Sequence, residues 1–193
     1  MTKEELLELI EDEDIEFIRL QFTDVLGNLK NIAVTPGQME RVLDRKYSFE
    51  GTALFDDQRD FTTDLYLKPD LDTFVILPWR PQHGKVGKLI CDVCNADGTL
   101  NKFSPRTVLK TVTEKARELG YEFNITPECE FFLFHTDDNG NPTTLSHEKA
   151  GYLDVGPIDF GENARRDMVL TLEEMGFEIE SSHHEKAQSC PLI

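Results

Sequence analysis

The chain has 193 residues, 39% of them apolar and 30% charged, enough for one large or two small globular domains and too polar for a membrane-embedded protein. Its net charge of −17 argues against nucleic acid or an anionic membrane as the main partner, because both select basic surfaces. The longest apolar runs, such as residues 74–77, are too short to span a bilayer, and "MTKEELLELI" lacks the basic start and apolar centre of a signal peptide, so the expected compartment is the cytoplasm.

Thr2 and Glu5 form a capping-box pattern, and Leu6, Leu7 and Ile10 give the short helix behind it an apolar stripe. From Ile15 the pattern alternates, with Ile18, Leu20 and Phe22 on one face and Arg19, Gln21 and Thr23 on the other. Gly27-Asn28 supplies a turn into "LKNIAV", which predicts a hairpin. "GQMERVLDRK" has helical spacing, and "DTFVILPW" and "GKLICDVCN" read as strands. Four cysteines, Cys91, Cys94, Cys129 and Cys190, suit a reducing compartment. "CDVC" has the spacing of a metal or redox pair, but no second pair exists and strand residues three apart face opposite ways, so ordinary buried thiols are expected.

"ADGTLNKFSPR" is a turn-rich break, and Ser104-Pro105 starts a helix with Val108, Leu109, Val112, Ala116 and Leu119 on one face and Gly120 as its stop. Residues 123–134 then read as a buried strand. Cys129, Phe131 and Leu133 share one face of it, while Glu128 and Glu130 share the other, roughly 7 Å apart at about 3.3 Å per residue. A polar loop, "HTDDNGNPTTLSHEKAGYLD", leads to a second helix with Ala164, Met168, Leu172 and Met175 as its stripe, and "FEIESSHHE" reads as a closing strand. The fold class is α+β, with a boundary near residues 101–104 that divides the chain into 1–103 and 104–193.

Two carboxylates that close in a half-buried strand require a metal ion, an arginine or exposure to water. A second cluster, Glu178, Glu180, His183, His184 and Glu185, is also rich in metal-ligating groups, and oxygen-rich sets of this kind favour Mg²⁺ or Mn²⁺. No glycine motif for phosphate binding is present.

The stretches "EFIRLQFTDVLGNLKNIAV", "DLYLKPDLDTFVILPWRP", "ECEFFLF" and "GENARRDMVLTLEEMGFEIESSHHE", in that order, resemble the N-terminal part of a bacterial type I glutamine synthetase, from about residue 5 to Glu185. The resemblance implies a β-grasp N-terminal domain followed by the first part of a glutamine synthetase catalytic domain. It implies a double-hexamer assembly, a dodecamer, whose active sites lie between neighbouring subunits, and ATP-dependent ligation of ammonia to glutamate through γ-glutamyl phosphate. It also implies that Glu130 and Glu185 are ligands of the metal beside glutamate, that Glu128 is a ligand of the metal bridging the ATP phosphates, and that Glu180 contacts ATP. A strict strand period would put Glu180 and Glu185 on opposite faces, so a bulge or a strand end near Ser182 is expected.

Two departures from the family stand out. Its Phe-Asp-Gly-Ser-Ser signature, whose aspartate serves the ammonium site, here reads "FEGTA", so Glu50 occupies that position with one methylene more, and "LFDDQRDFTTD" also departs before Asp64 returns to the pattern. After "SSHHE" the chain reads "KAQSCPLI", an atypical tail from about residue 186, where the family continues with a further metal-ligand glutamate and over half of the catalytic domain. The chain alone is therefore expected to be inactive. The alternatives are a truncated non-catalytic paralogue that joins or regulates a full-length glutamine synthetase, or a non-functional remnant.

Overall fold

A computed structural model describes residues 1–45, 47–55, 63–79 and 84–193. Most of the divergent stretch "LFDDQRDFTTD", residues 56–62, lies outside the described residues. The chain forms two compact units, Met1–Phe123 and Asn124–Ile193.

In the first unit, helix α1 (Lys3–Asp12) starts at the capping box: Glu5 N–H donates to Thr2 Oγ1 over 3.1 Å, and Thr2 N–H donates to the Glu5 carboxylate over 2.8 Å. Strands β1 (Ile15–Thr23) and β2 (Leu29–Val34) pair antiparallel as the expected hairpin. Its turn is set by Asp24, a fully buried side chain that accepts from the backbone of Leu26 and Asn28, both at 2.9 Å, and pairs with Lys30 at 3.1 Å. Burial pushes the Asp24 carboxyl up, but the bonds from Asn28, Lys30 and Leu26 outweigh it and hold the pKa at about 2. Gly27, with φ of 88°, supplies the left-handed residue that the turn needs.

A 3₁₀ turn (Pro36–Gln38), α2 (Met39–Leu43), β3 (Ser48–Glu50), α3 (Thr52–Phe55), β4 (Asp64–Ile76) and β5 (Lys85–Cys94) complete a sheet of order β2-β1-β5-β4-β3. β1 and β5 run parallel and the other pairs are antiparallel. The alternation expected of β1 puts Ile18, Leu20 and Phe22 into a core with Leu6, Leu65, Leu67 and Leu89. Each such side chain contributes about 1.5–3 kcal/mol on burial. β4 is longer than the sequence pattern suggests: it begins at Asp64 and passes an irregularity between Asp70 and Val75. β3 was not legible at all, because its three residues are too few to show a period. Cys91 and Cys94 are both buried, and burial pushes the Cys91 thiol up to about 12.

Helix α4 (Pro105–Glu118) packs with its charged side. Arg106 Nε donates to Asp92 Oδ1 over 3.0 Å and its Nη2 to Asp70, while Lys110 Nζ donates to Asp92 Oδ2 over 2.7 Å. Val108, Leu109, Val112 and Leu119, its apolar stripe, remain exposed.

The second unit has little regular sheet. β6 (Phe134–Thr136) and β7 (Pro142–Ser146) form a hairpin whose turn is held by Asp137, which accepts from Asn139 and Asn141 N–H over 2.9 and 2.8 Å. α5 (Glu162–Glu174), β8 (His183–His184) and β9 (Pro191–Leu192) follow. Two expected strands are corrected here. Residues 123–130 are exposed rather than a buried strand, and residues 177–182 carry no sheet, because an apolar alternation makes a strand only where a neighbour supplies the hydrogen-bonding ladder.

Residues 129–133 do find a partner, the chain's own tail. Cys129 N–H donates to Ile193 O over 3.0 Å, Ile193 N–H returns to Cys129 O over 3.2 Å, and Leu133 N–H donates to Ser189 O over 2.9 Å. Ser189, Cys190, Pro191 and Leu192 are buried in consequence. β8 is His183–His184 only, so no strand runs through Glu180 to end near Ser182: the break expected there is replaced by irregular chain that leads into a two-residue strand.

Candidate metal and nucleotide site

Of the five positions singled out in the sequence, Glu130 and Glu185 come into one neighbourhood. Glu130 bridges through its backbone to Leu192, and Glu185 N–H donates to Cys190 O over 2.7 Å. Burial, then the negative charges of Glu130 and Glu185, push the Cys190 thiol up, so both carboxylates act on one sulfur. Glu185 is partly buried, its side chain 19% exposed and 3.5 Å from His183 Nδ1. Glu128 is exposed two residues before Glu130, and Glu180 is exposed in the segment before β8. Glu50 ends β3 in the first unit, exposed. Among the described residues, no group of three or more His, Cys, Asp or Glu side chains is gathered closely enough to hold a metal ion.

The donor set is chemically apt for a hard cation. Carboxylate oxygens suit Mg²⁺ or Mn²⁺, and Mg²⁺ in particular keeps several waters, so one or two protein carboxylates suffice for a partly hydrated ion. Burial and the two carboxylates raise the Cys190 thiol, which disfavours its thiolate beside them.

Behind this surface lies a polar interior of which the sequence reading singled out only His184. His184 is 1% exposed, and its Nε2 lies 2.9 Å from Glu148 Oε1. Its Nδ1 lies 2.6 Å from the carbonyl of Glu185, which can only accept, so Nδ1 carries a hydrogen. Burial lowers the His184 pKa, but the Glu148 carboxylate and the Glu185 carbonyl raise it further, and the net shift is upward. Glu148 shifts the opposite way: burial raises it, and His184, Ala150 N–H and Ser189 N–H together bring it below the usual range. The two shifts agree on an imidazolium–carboxylate pair.

Ser189 N–H donates to Glu148 Oε1 over 2.6 Å, and Glu148 N–H donates to Ser189 Oγ over 3.0 Å, so Glu148 ties β8 to the tail. Asp159 and Arg165 form a second buried pair with bonds of 3.1 and 2.5 Å. Glu148 and Asp159 lie in loops and Arg165 in α5, so no single helix or strand period joins them and no pattern marked them. This pair network fixes the backbone on either side of Glu185.

Fold and site together define an α+β protein made of a β-grasp sheet and a second, polar-cored unit with carboxylates at its surface. The model of the glutamine synthetase β-grasp domain matches residues 14–96, and that of the glutamine synthetase catalytic domain matches residues 102–190. The chain is 56% identical over 187 residues to a glutamine synthetase of Clostridium saccharobutylicum and 49% identical to one of Staphylococcus aureus, covering 97% and 96% of this chain and 42% of each relative. Its fold matches that of the Plasmodium falciparum glutamine synthetase with a TM-score of 0.77 at 18% identity, over 100% of this chain and 44% of that one. The chain belongs to the glutamine synthetase family, as its β-grasp domain followed by the start of its catalytic domain. It spans less than half the length of the curated relatives it matches.

Proposed function

We propose that this chain is the N-terminal part of a cytoplasmic glutamine synthetase, a ligase that joins ammonia to glutamate at the expense of ATP through γ-glutamyl phosphate within a dodecamer. The observation that carries the reading is the convergence of Glu130 and Glu185 on Cys190, in a chain whose relatives bear that name. In this reading Glu130 and Glu185 hold a divalent ion beside glutamate, Glu128 serves the ion that bridges the phosphates, Glu180 contacts ATP, and Glu50 stands at the ammonium-site position. When bound, Mg²⁺ or Mn²⁺ neutralises phosphate charge. The chain's own contribution is positional: the Glu148–His184 pair holds the backbone of Glu185, and the tail holds that of Glu130. We place the domain boundary at residues 101–104, a reading supported by the gap between the two matched stretches, although α4 is compact with the first unit.

We propose that these five carboxylates do not support catalysis by themselves, since a transition-state constellation needs further positioned groups. Mn²⁺ titration followed by electron paramagnetic resonance tests the site. Weak binding in the wild type should fall in both Glu130→Ala and Glu185→Ala, and binding indifferent to both substitutions would refute it. Metal-dependent glutamine formation by the pure chain would refute the claim of inactivity.

A further inference from the structure

Two histidines meet across the β6–β7 hairpin. Phe134 pairs with Ser146 and Thr136 with Pro142, and the ladder shifts register between those two pairs. Continuing the first pairing puts His147 opposite residue 133, and so diagonal to His135 on the same face. The two imidazole rings accordingly lie with centroids 5.0 Å apart at an interplanar angle of 39°, and Phe160 meets His147 edge-on at 5.7 Å. Thr143 Oγ1 donates to the carbonyl of His135 over 2.6 Å, which fixes the backbone beneath that ring. His135 is exposed and His147 half-buried. The Nδ1 atom of His147 is itself buried and has no hydrogen-bond partner among the described residues. As an N–H it would be a buried donor without an acceptor, so its lone pair is the group on offer, and a polar atom left open in this way is one that an ion can satisfy.

The separation suits one kind of ion. Imidazole nitrogens bind Zn²⁺ at about 2.0–2.1 Å, so, with the radius of each ring added, two imidazoles on one ion at a near-tetrahedral angle have centroids roughly 5 Å apart. Seating such an ion between His135 and His147 requires the rings to turn, not the strands to move. We propose that His135 and His147 form a two-imidazole site for a divalent transition ion of the Ni²⁺, Cu²⁺ or Zn²⁺ class, with water completing the coordination, and that the bound ion staples β6 to the end of β7. Imidazole favours these ions over Mg²⁺ and Mn²⁺, which prefer carboxylate oxygen, so this pair and the carboxylates Glu130 and Glu185 select different metals. The site uses none of the five carboxylates of the proposed function and stands apart from that reading.

The test is Ni²⁺ titration of the full chain, followed by calorimetry and by the nuclear magnetic resonance signals of the histidine rings, since Ni²⁺ is paramagnetic and does not oxidise the cysteines. The expected result is one Ni²⁺ per chain, with the ring signals of His135 and His147 broadened together and before that of His183, and with slower hydrogen exchange at residues 134–146. His135→Ala and His135→Gln, at an exposed side chain, should each weaken binding at least about tenfold, because loss of a group that merely supports a metal ligand already costs about that much. Glu130→Ala and Glu185→Ala should leave Ni²⁺ binding unchanged. Absence of binding, broadening of one ring without the other, earlier broadening of His183, dependence on either glutamate, or an affinity indifferent to both His135 variants would overturn the proposal and show that the rings meet by packing alone. Ni²⁺ binding that is intact in a chain that binds no Mn²⁺ would support this site while counting against the proposed function.

Discussion

The first unit buries leucines, whereas the second buries ions. In Met1–Phe123 the interior is Leu6, Leu20, Leu65, Leu67, Leu89 and their apolar neighbours. In Asn124–Ile193 the buried groups are chiefly Glu148, Asp159, Arg165, His184 and Ser189, with Ala150, Cys190, Pro191 and Leu192 as the buried apolar side chains among the described residues. The two interiors fail differently. An apolar core loses transfer energy roughly in proportion to the atoms removed, but a buried ion pair that loses one member leaves an uncompensated charge. The second unit therefore depends on a few bonds, and those same bonds hold the backbone of Glu185.

The largest effect should come from Glu148→Ala, which strips the carboxylate from His184 and from two backbone N–H donors. A loss of about 3–5 kcal/mol is expected in urea unfolding of the second unit, with faster hydrogen exchange at residues 189–193. The double variant Glu148→Leu with His184→Leu should recover part of that loss, because neither charge then remains. If the double variant is as unstable as the single one, the interior is not limited by its ions.

Leu20→Ala, at a side chain 0% exposed in the middle of the first sheet, should cost about 2–5 kcal/mol. Its effect should be confined to the first unit's transition, read by denaturation, and equal destabilisation of both transitions would contradict independent interiors. Limited proteolysis sharpens the same point: since Arg106 and Lys110 bind α4 to β4 and β5, the protected fragment should end near Phe123 rather than at residues 101–104.

The smallest effect, and the one with a distinct pH signature, belongs to Asp24. Its folded pKa of about 2 lies below the ordinary aspartate value of 3.8, so its contribution is present above the higher value and is lost as pH falls through the lower. Asp24→Asn should cost about 1–3 kcal/mol at pH 6. That difference from wild type should shrink steadily between pH 4 and 2. A difference independent of pH would mean that the charge of Asp24 contributes nothing.

How much was legible in the sequence follows the same division. Local patterns carried the capping box of α1, the β1–β2 hairpin, the start of α4 at Pro105 and the presence of α5, though not its stripe, since Met168 is exposed and Arg165 is the buried residue of that helix. The family was legible from several motifs in one order. The site was legible only as a set of residue types: Glu130 and Glu185 are far apart in the chain, and nothing between them states that both will face Cys190.

By itself the sequence determined the α+β class, the longer helices, the β1–β2 hairpin and the buried face of β1, since periodicity and turn chemistry act locally. Only the tertiary structure decided which side of α4 faces inward, where Asp92 outcompeted the apolar stripe. It alone decided, too, that residues 129–133 pair with the tail at 189–193 instead of forming a longer strand. Both outcomes turn on partners distant in the chain, and a strand or a helix face has no fixed fate until the groups that satisfy it are in place.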